Sequence, residues 1–443
     1  MNALEQNILN LLGNDEIEAM ARKTGFVERK SPITGTAFLF AMMAGAQGTA
    51  EGTLTELATF LFATGSIKIS PQALDARFGN NAAAFLESCL NKALALLRTS
   101  THRSGILSKF NHIYAIDSTN FNLAPELAPI FKGNGGGASK AAMRIQFVLD
   151  YCTEAMYLEI GDVRLSDPAT LAGIVRDGKI PLDGNSLILP DLGYFKSSTF
   201  AYISSQEGLF FLSKMNSGVH IYRENGDLLD LDEKLKKNPT RFEDVILIGG
   251  AKCRLVAVRL DDETAGQRIR KANSCSESKS GQITEKYRRF LHYSMFITNL
   301  PAEYTMEQLY TLYRIRWQVE LVFKSWKSVL GIDRQRSAKH SRVMCEVYGK
   351  LIAATLVSLL ERATEMDMGH IVISRIKATK TIKIHAAMLA SAVMEGKEAI
   401  LIVIKRITAS MGRLCRKNEG KTRPTIEQRL ENSLGGSSNE MAA

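Results

Sequence analysis

The spacing Tyr313-x2-Arg316-x3-Glu320-x6-Lys327 constrains this chain more than any other feature. On an α-helix, at about 100° per residue, the four side chains fall within an arc of about 60°. Leu312, Ile315, Val319, Val322, Trp326, Val329 and Leu330 lie mainly on the adjoining flank. The pattern predicts one amphipathic helix with a buried side and a separate polar edge. A solvated face carrying an Arg316–Glu320 ion pair at i,i+4 would show the same spacing. One acid between two cations also suits a metal-holding carboxylate beside groups that grip phosphate.

Two upstream aspartates shift the balance toward chemistry. Asn111 to Ile116 is rich in β-formers and runs into Asp117-Ser118-Thr119, which reads as a strand delivering a carboxylate at its end. Ser186 to Pro190 is a short apolar strand that ends in Asp191-Leu192-Gly193-Tyr194-Phe195. Singly, each aspartate fits a turn or helix cap. Together with Glu320 they form a set of three carboxylates, which is what a pair of divalent ions about 3.5–4 Å apart requires.

Asp117-Ser-Thr, Asp191-x-Gly-Tyr-Phe and the Tyr-Arg-Glu-Lys stripe resemble the signatures of DDE transposases of the insertion-sequence-four family, over residues 30–360. The resemblance implies an α/β fold, an RNase H-like mixed-sheet core with a β-rich insertion, flanked by helical N- and C-terminal regions. It implies Asp117, Asp191 and Glu320 as catalytic residues and as ligands of Mg2+, with Mn2+ as an alternative. Tyr313, Arg316 and Lys327 would hold phosphates of double-stranded DNA at the transposon ends. The implied partners are those ends, target DNA and a second copy of the chain in a synaptic complex. An RNase H-like nuclease and a transposase-derived DNA-binding regulator without catalysis remain alternatives.

Charge agrees with a polyanionic partner. Lys and Arg number 56 against 46 Asp and Glu, a net charge of +10. Residues 371–430 hold 13 Lys or Arg against 4 Glu, so this stretch reads as a basic helical region gripping DNA backbone. Six scattered cysteines with no Cys-x2-Cys pair argue against structural zinc and a disulfide framework. Without a visible signal peptide or a bilayer-length apolar run, the reading is a cytoplasmic protein with no membrane partner.

The organisation reads as a helical DNA-binding domain (1–105), a first core segment (106–214), a β-rich insertion (215–303), a second core segment with the catalytic helix (304–366), the basic helical region (367–430) and a disordered tail (431–443). Ser70-Pro71 looks like a helix N-cap and first turn, and with the preceding helix opened by Thr53 to Ala58 it suggests a helix-turn-helix or a plain packed domain. Strands are expected at 111–117, 144–149, 156–163, 186–191 and 208–214, with a helix over 168–177. In the insertion, β-type runs fall at 219–222, 245–249, 253–260 and 291–298. The polar stretch 265–286 reads as a DNA-contacting or disordered loop, and the glycine run 133–137 as a flexible connection.

The chain departs from the family pattern in two places. Family members that form DNA hairpins are expected to carry a base-stacking tryptophan in the insertion, whereas here both tryptophans, Trp317 and Trp326, lie in the catalytic helix. Tyr222, Phe242, Tyr287 and Phe290 are the substitute stacking platforms. Lys214 stands where an arginine is expected after the fifth strand, and either cation binds phosphate.

Overall fold

The computed structural model describes residues 3–47, 53–97, 105–135, 139–277, 283–335, 337–368 and 371–417. Eight strands make a single sheet: β1 (His112–Asn122), β2 (Ala142–Asp150), β3 (Met156–Asp162), β4 (Ser186–Pro190), β5 (Leu209–Lys214), β6 (Arg241–Ile248), β7 (Ala251–Arg259) and β8 (Tyr293–Thr298), in the order β3-β2-β1-β4-β5-β8-β7-β6. β1 pairs antiparallel with β2 and parallel with β4, and β4 pairs parallel with β5. Every residue of β4 is buried, as a central parallel strand covered on both faces requires.

The first five strands and the helix Asp167–Arg176 follow the expected RNase H-like order. The insertion extends this sheet: β8 pairs antiparallel with β5 and carries β7 and β6 outward. Its run at 219–222 forms only isolated bridges at Tyr222. The polar stretch is helical rather than an open loop, as Asp262–Glu277 and Glu285–Leu291, with 278–282 outside the described residues. Its charged positions are spaced so that the first helix also buries Ala265, and Arg268 donates to the Tyr293 carbonyl.

The two flanking helical regions do not stay apart. Helices Gly35–Gln47, Asn80–Leu96, His340–Met368, Arg375–Glu395 and Lys397–Leu414 share one apolar cluster that also takes in Phe147, Phe323 and Trp326 on one sheet face. Ile382, Leu389, Val393, Ile404, Ile407 and Met411 are buried there, so the basic C-terminal helices present their charges outward while their apolar stripes complete the core. Gly349 permits the tight crossing of His340–Met368 over Gly35–Gln47: a Cβ at 349 would stand 2.7 Å from Met42 Cβ. By length and composition His340–Met368 would suit a bilayer, yet 94% of its apolar window is buried inside the protein. It is the central helix of this layer.

Near the N-terminus, Ser70 Oγ accepts from Ala73 N at 3.1 Å and Pro71 opens the helix. That helix, Pro71–Asp75, has five residues, shorter than a recognition helix in a groove. The tail 431–443, the basic stretch 418–430 and Gly136–Gly137 of the glycine run lie outside the described residues.

One buried acid makes stability pH-dependent. Glu361 on the central helix is paired through Oε2 with Arg375 at 2.8 Å, while its Oε1 lacks a partner. Burial, against the pull of Arg375, pushes its carboxyl up to about 7. The folded protein therefore binds a proton that the unfolded chain releases, and this contribution is fully present below the ordinary glutamate range and lost as pH rises through about 7. Glu361→Gln is expected to flatten the pH dependence between pH 5 and 8 and to stabilise at pH 8, by on the order of a few kcal/mol. Urea unfolding across that range checks it. An unchanged profile would show that Glu361 is ionised throughout.

Candidate active site

The site is made where β4 stops. Pro190 has no N–H and ends that strand, but Asp191 N still donates to Ile116 O at 3.1 Å. This bond sets Asp191 beside Asp117, the residue after Ile116. β1 itself continues to Asn122, paired with β2 alone, so Asp117 lies inside its strand and not at its end. The sequence pattern expected Asp117 at the end of its strand, but the edge belongs to the neighbouring strand.

Asp191 then precedes a single 3-10 turn, Leu192–Tyr194, without a capping bond from its side chain. The buried Tyr194 hydroxyl donates to Gln146 Oε1, and Gln146 Nε2 donates to Asp167 Oδ1 at 2.9 Å. Arg144 Nη1 reaches the same oxygen at 2.9 Å, and Ser118 Oγ at 3.4 Å. This network joins β1, β2, the Asp167–Arg176 helix and the turn after Asp191. Sequence reasoning missed it. Its visible signal is a pair of polar residues, Arg144 and Gln146, two apart on one face of an otherwise apolar strand.

The third carboxylate comes from a helix that is interrupted. Met306–Arg314 and Trp317–Ser328 are separate helices, joined by a tightened turn. Ile315 N bonds Leu312 O, Arg316 N bonds Tyr313 O, Gln318 N bonds Ile315 O and Val319 N bonds Arg316 O, at 2.9–3.1 Å. These i→i+3 bonds are 3-10 geometry, which corrects the single continuous helix predicted from the stripe. The joint turns Arg316 onto the aspartates. Thr305 and Gln308 cap the first helix reciprocally.

Arg316 is buried and reaches all three acids. Its Nη1 donates to Asp117 Oδ2 at 2.8 Å and lies 3.4 Å from Asp191 Oδ1, while Nη2 lies 3.4 Å from Glu320 Oε1. Asp117 is the deepest acid, with a side chain 17% exposed against 40% and 41% for Asp191 and Glu320. Burial above all, with added repulsion from Asp191 and Glu320, pushes the Asp117 carboxyl up to about 6, although Ser118 N and Arg316 favour its charged form.

The other two stripe residues take different places. Tyr313 is buried and its hydroxyl donates to Pro190 O at 3.3 Å. It therefore braces the end of β4 from beneath rather than presenting itself to a phosphate, and burial raises its phenol well above the usual range. Lys327 is half-buried, and its Nζ donates to Asn120 O at 3.1 Å, further along β1 from Asp117. Lys214 Nζ sits 5.6 Å from the Tyr313 ring centroid.

Trp326 is buried against Phe147 and Phe323, with ring centroids 5.1 and 5.5 Å away, and fixes the Glu320 helix on β2. Trp317 is 57% exposed on the first turn of that helix. Of the substitute stacking platforms, Phe242 is buried and so unavailable, whereas Tyr222 and Tyr287 are partly exposed and Tyr287 stacks on Phe290.

As the side chains stand, no group of three or more His, Cys, Asp or Glu among the described residues is poised to hold a metal ion, and the Arg316 guanidinium lies between the three carboxylates. The donor set nevertheless fits divalent cations. It is all oxygen, as hard divalent cations prefer, and it comes from β1, the end of β4 and the helix Trp317–Ser328.

The model of the transposase DDE domain family matches residues 108–356, which include all three acids. The chain is 30% identical to the transposase for insertion sequence element IS231B of Bacillus thuringiensis subsp. berliner, over 93% of this chain and 91% of that protein. It is 28% identical to the transposase for insertion sequence element IS1151 of Clostridium perfringens, over 95% and 94%. Among solved structures it is similar to a cryo-EM structure of the piggyBac transposase synaptic complex with hairpin DNA, with TM-score 0.50 and 10% identity, over 96% of this chain and 87% of that one. At that identity the likeness concerns the fold. The chain belongs to the transposase DDE domain family, and within it to the insertion-sequence-four type.

Proposed function

We propose that this protein cuts an insertion sequence at its terminal inverted repeats and joins the freed 3′ ends to target DNA, using Mg2+ held by Asp117, Asp191 and Glu320. Membership of a DNA-transposing family supports enzymatic action on DNA and divalent metal in general. The observation that carries the finer reading is the convergence of three carboxylates, from β1, the end of β4 and a helix, around one buried cation.

When bound, two divalent ions would supply a polarised oxygen nucleophile and charge stabilisation at an in-line phosphoryl transfer. The protein's part is positioning. Asp117 is fixed by its strand pairing and by Ser118 N at 2.8 Å. Asp191 is fixed by its bond to Ile116 and by the Tyr194–Gln146–Asp167 network. Glu320 is fixed by the packing of Trp326. In the first step water attacks phosphorus and the 3′ oxygen leaves. In the second, that 3′ hydroxyl attacks a target phosphodiester, so one P–O bond forms as another breaks and no external energy source is needed.

Lys327, half-buried with its Nζ on the Asn120 carbonyl at 3.1 Å, is the stripe cation we assign to backbone phosphate. Lys327→Ala is expected to weaken binding to end DNA and to reduce the salt slope by about one unit. Superimposable binding curves across a salt series would make Lys327 a structural clamp on β1.

The function is tested with the purified protein, Mg2+ and a DNA substrate carrying the inverted repeats that flank its own gene. The expected result is nicking at the element boundaries that leaves 3′ hydroxyls. Cleavage spread over any duplex would favour a nuclease, and binding without cleavage a regulator.

A further inference from the structure

We propose that Arg316 is an exchangeable counter-ion: it holds the three carboxylates together before metal arrives and must be handed to a DNA phosphate for metal to load fully. This rests on the metal-binding reading of the site and adds a coupling that the reading alone does not contain.

The geometry sets up a competition. Arg316 Nη1 lies 2.8 Å from Asp117 Oδ2, within reach of Asp191, while Nη2 faces Glu320. A Mg2+-sized ion bonds carboxylate oxygen at about 2.0–2.1 Å, so an ion that takes Asp117 Oδ2, Asp191 Oδ1 or Glu320 Oε1 competes with the guanidinium for that oxygen. Placing a divalent ion among these acids therefore repels or displaces the side chain. Once displaced, Arg316 is poorly placed. It opens the helix Trp317–Ser328, whose N-terminal end carries partial positive charge, and the Lys214 ammonium is close enough to repel it. A buried cation that loses its partners is strongly destabilising unless another anion replaces them. A backbone phosphate is the anion this enzyme family handles, and a guanidinium matches it with paired N–H donors.

The joint allows the exchange. Around Arg316 the backbone is held by i→i+3 bonds between two helices rather than by a continuous α-helical ladder. Thermodynamic reciprocity follows: if DNA draws Arg316 off the acids and so tightens metal binding, metal must tighten DNA binding by the same factor through this residue. The device would keep the centre poorly loaded in protein that has no DNA.

The test measures Mn2+ uptake by full-length protein without DNA, from the loss of the free-ion electron paramagnetic resonance signal, for wild type, Arg316→Gln and Arg316→Lys. Arg316→Gln is expected to bind Mn2+ roughly tenfold tighter or more, since it removes the competitor. Arg316→Lys keeps a charge that cannot span all three acids, and should fall between the two. Equal or weaker Mn2+ binding by folded Arg316→Gln would overturn the inference. If Arg316→Gln does not fold, Arg316→Lys decides alone: tighter binding than wild type supports the exchange and equal binding overturns it. If wild type and both variants take up no more Mn2+ than an Asp117→Asn/Asp191→Asn double variant, the metal reading fails with it. A second readout is fluorescence anisotropy of a labelled duplex. Mn2+ should enhance DNA binding by wild type relative to Arg316→Gln, and an identical response of the two proteins counts against the coupling.

Discussion

Asp117→Ala, Asp191→Ala and Glu320→Ala are each expected to lower strand cleavage by about 10³-fold or more, while leaving affinity for end DNA close to wild type. The magnitude follows from the chemistry, because a centre that stabilises both the attacking and the leaving oxygen loses its geometry when one ligand goes. Binding should survive because carboxylates repel phosphate and so add no attraction to DNA. Asp117→Ala carries a second expectation. It removes a buried carboxyl that Arg316 pairs at 2.8 Å, so this variant should lose the most stability of the three without metal. Single-turnover cleavage, gel binding and thermal unfolding read these effects separately. Near-wild-type nicking by any of the three would remove that residue from the centre.

Trp326→Ala should lower the stability of the core by about 3–5 kcal/mol, the cost of deleting a buried aromatic side chain. Trp326 is 1% exposed and packs on Phe147 and Phe323 between the sheet and the helical layer. Its loss also frees the helix that carries Glu320, so the folded fraction should cleave more slowly than the loss of folded protein explains. Urea unfolding gives the first number and active-fraction-corrected rates give the second. A loss below about 1 kcal/mol would mean that neighbouring side chains collapse into the space.

The carboxylates were legible because each announces itself locally. Asp117 and Asp191 follow apolar β-forming runs, and Glu320 has helical spacing to two cations. The five core strands were legible for the same reason. What was not legible depends on partners remote in sequence. Arg316 shares its stripe with Glu320 but meets Asp117, 199 residues earlier, and only the joint at Ile315–Arg316 aims it there. Tyr313 looks like an edge residue on a helical wheel, yet the carbonyl of Pro190 claims its hydroxyl. The 265–286 stretch is polar enough to read as a loop because its helices bury little apolar surface. The C-terminal helices read as a basic arm because Lys and Arg dominate their composition. Their buried stripe of Ile382, Leu389, Val393 and Ile404 completes a core shared with the N-terminal helices. For that reason a chain cut after Met366 would expose the central helix as well as losing DNA-binding charge, and it tests folding before it tests pairing of ends.

Iron-directed backbone scission is the most direct test of the central claim, that Asp117, Asp191 and Glu320 together hold divalent ions. Fe2+ substituted at the centre generates hydroxyl radicals in the presence of ascorbate and peroxide, and these cut the polypeptide near the ion. The account predicts fragments ending close to residues 117, 191 and 320, lost with excess Mg2+ and absent in Glu320→Ala. Fragments elsewhere, or cutting indifferent to Mg2+ and to Glu320, would contradict it.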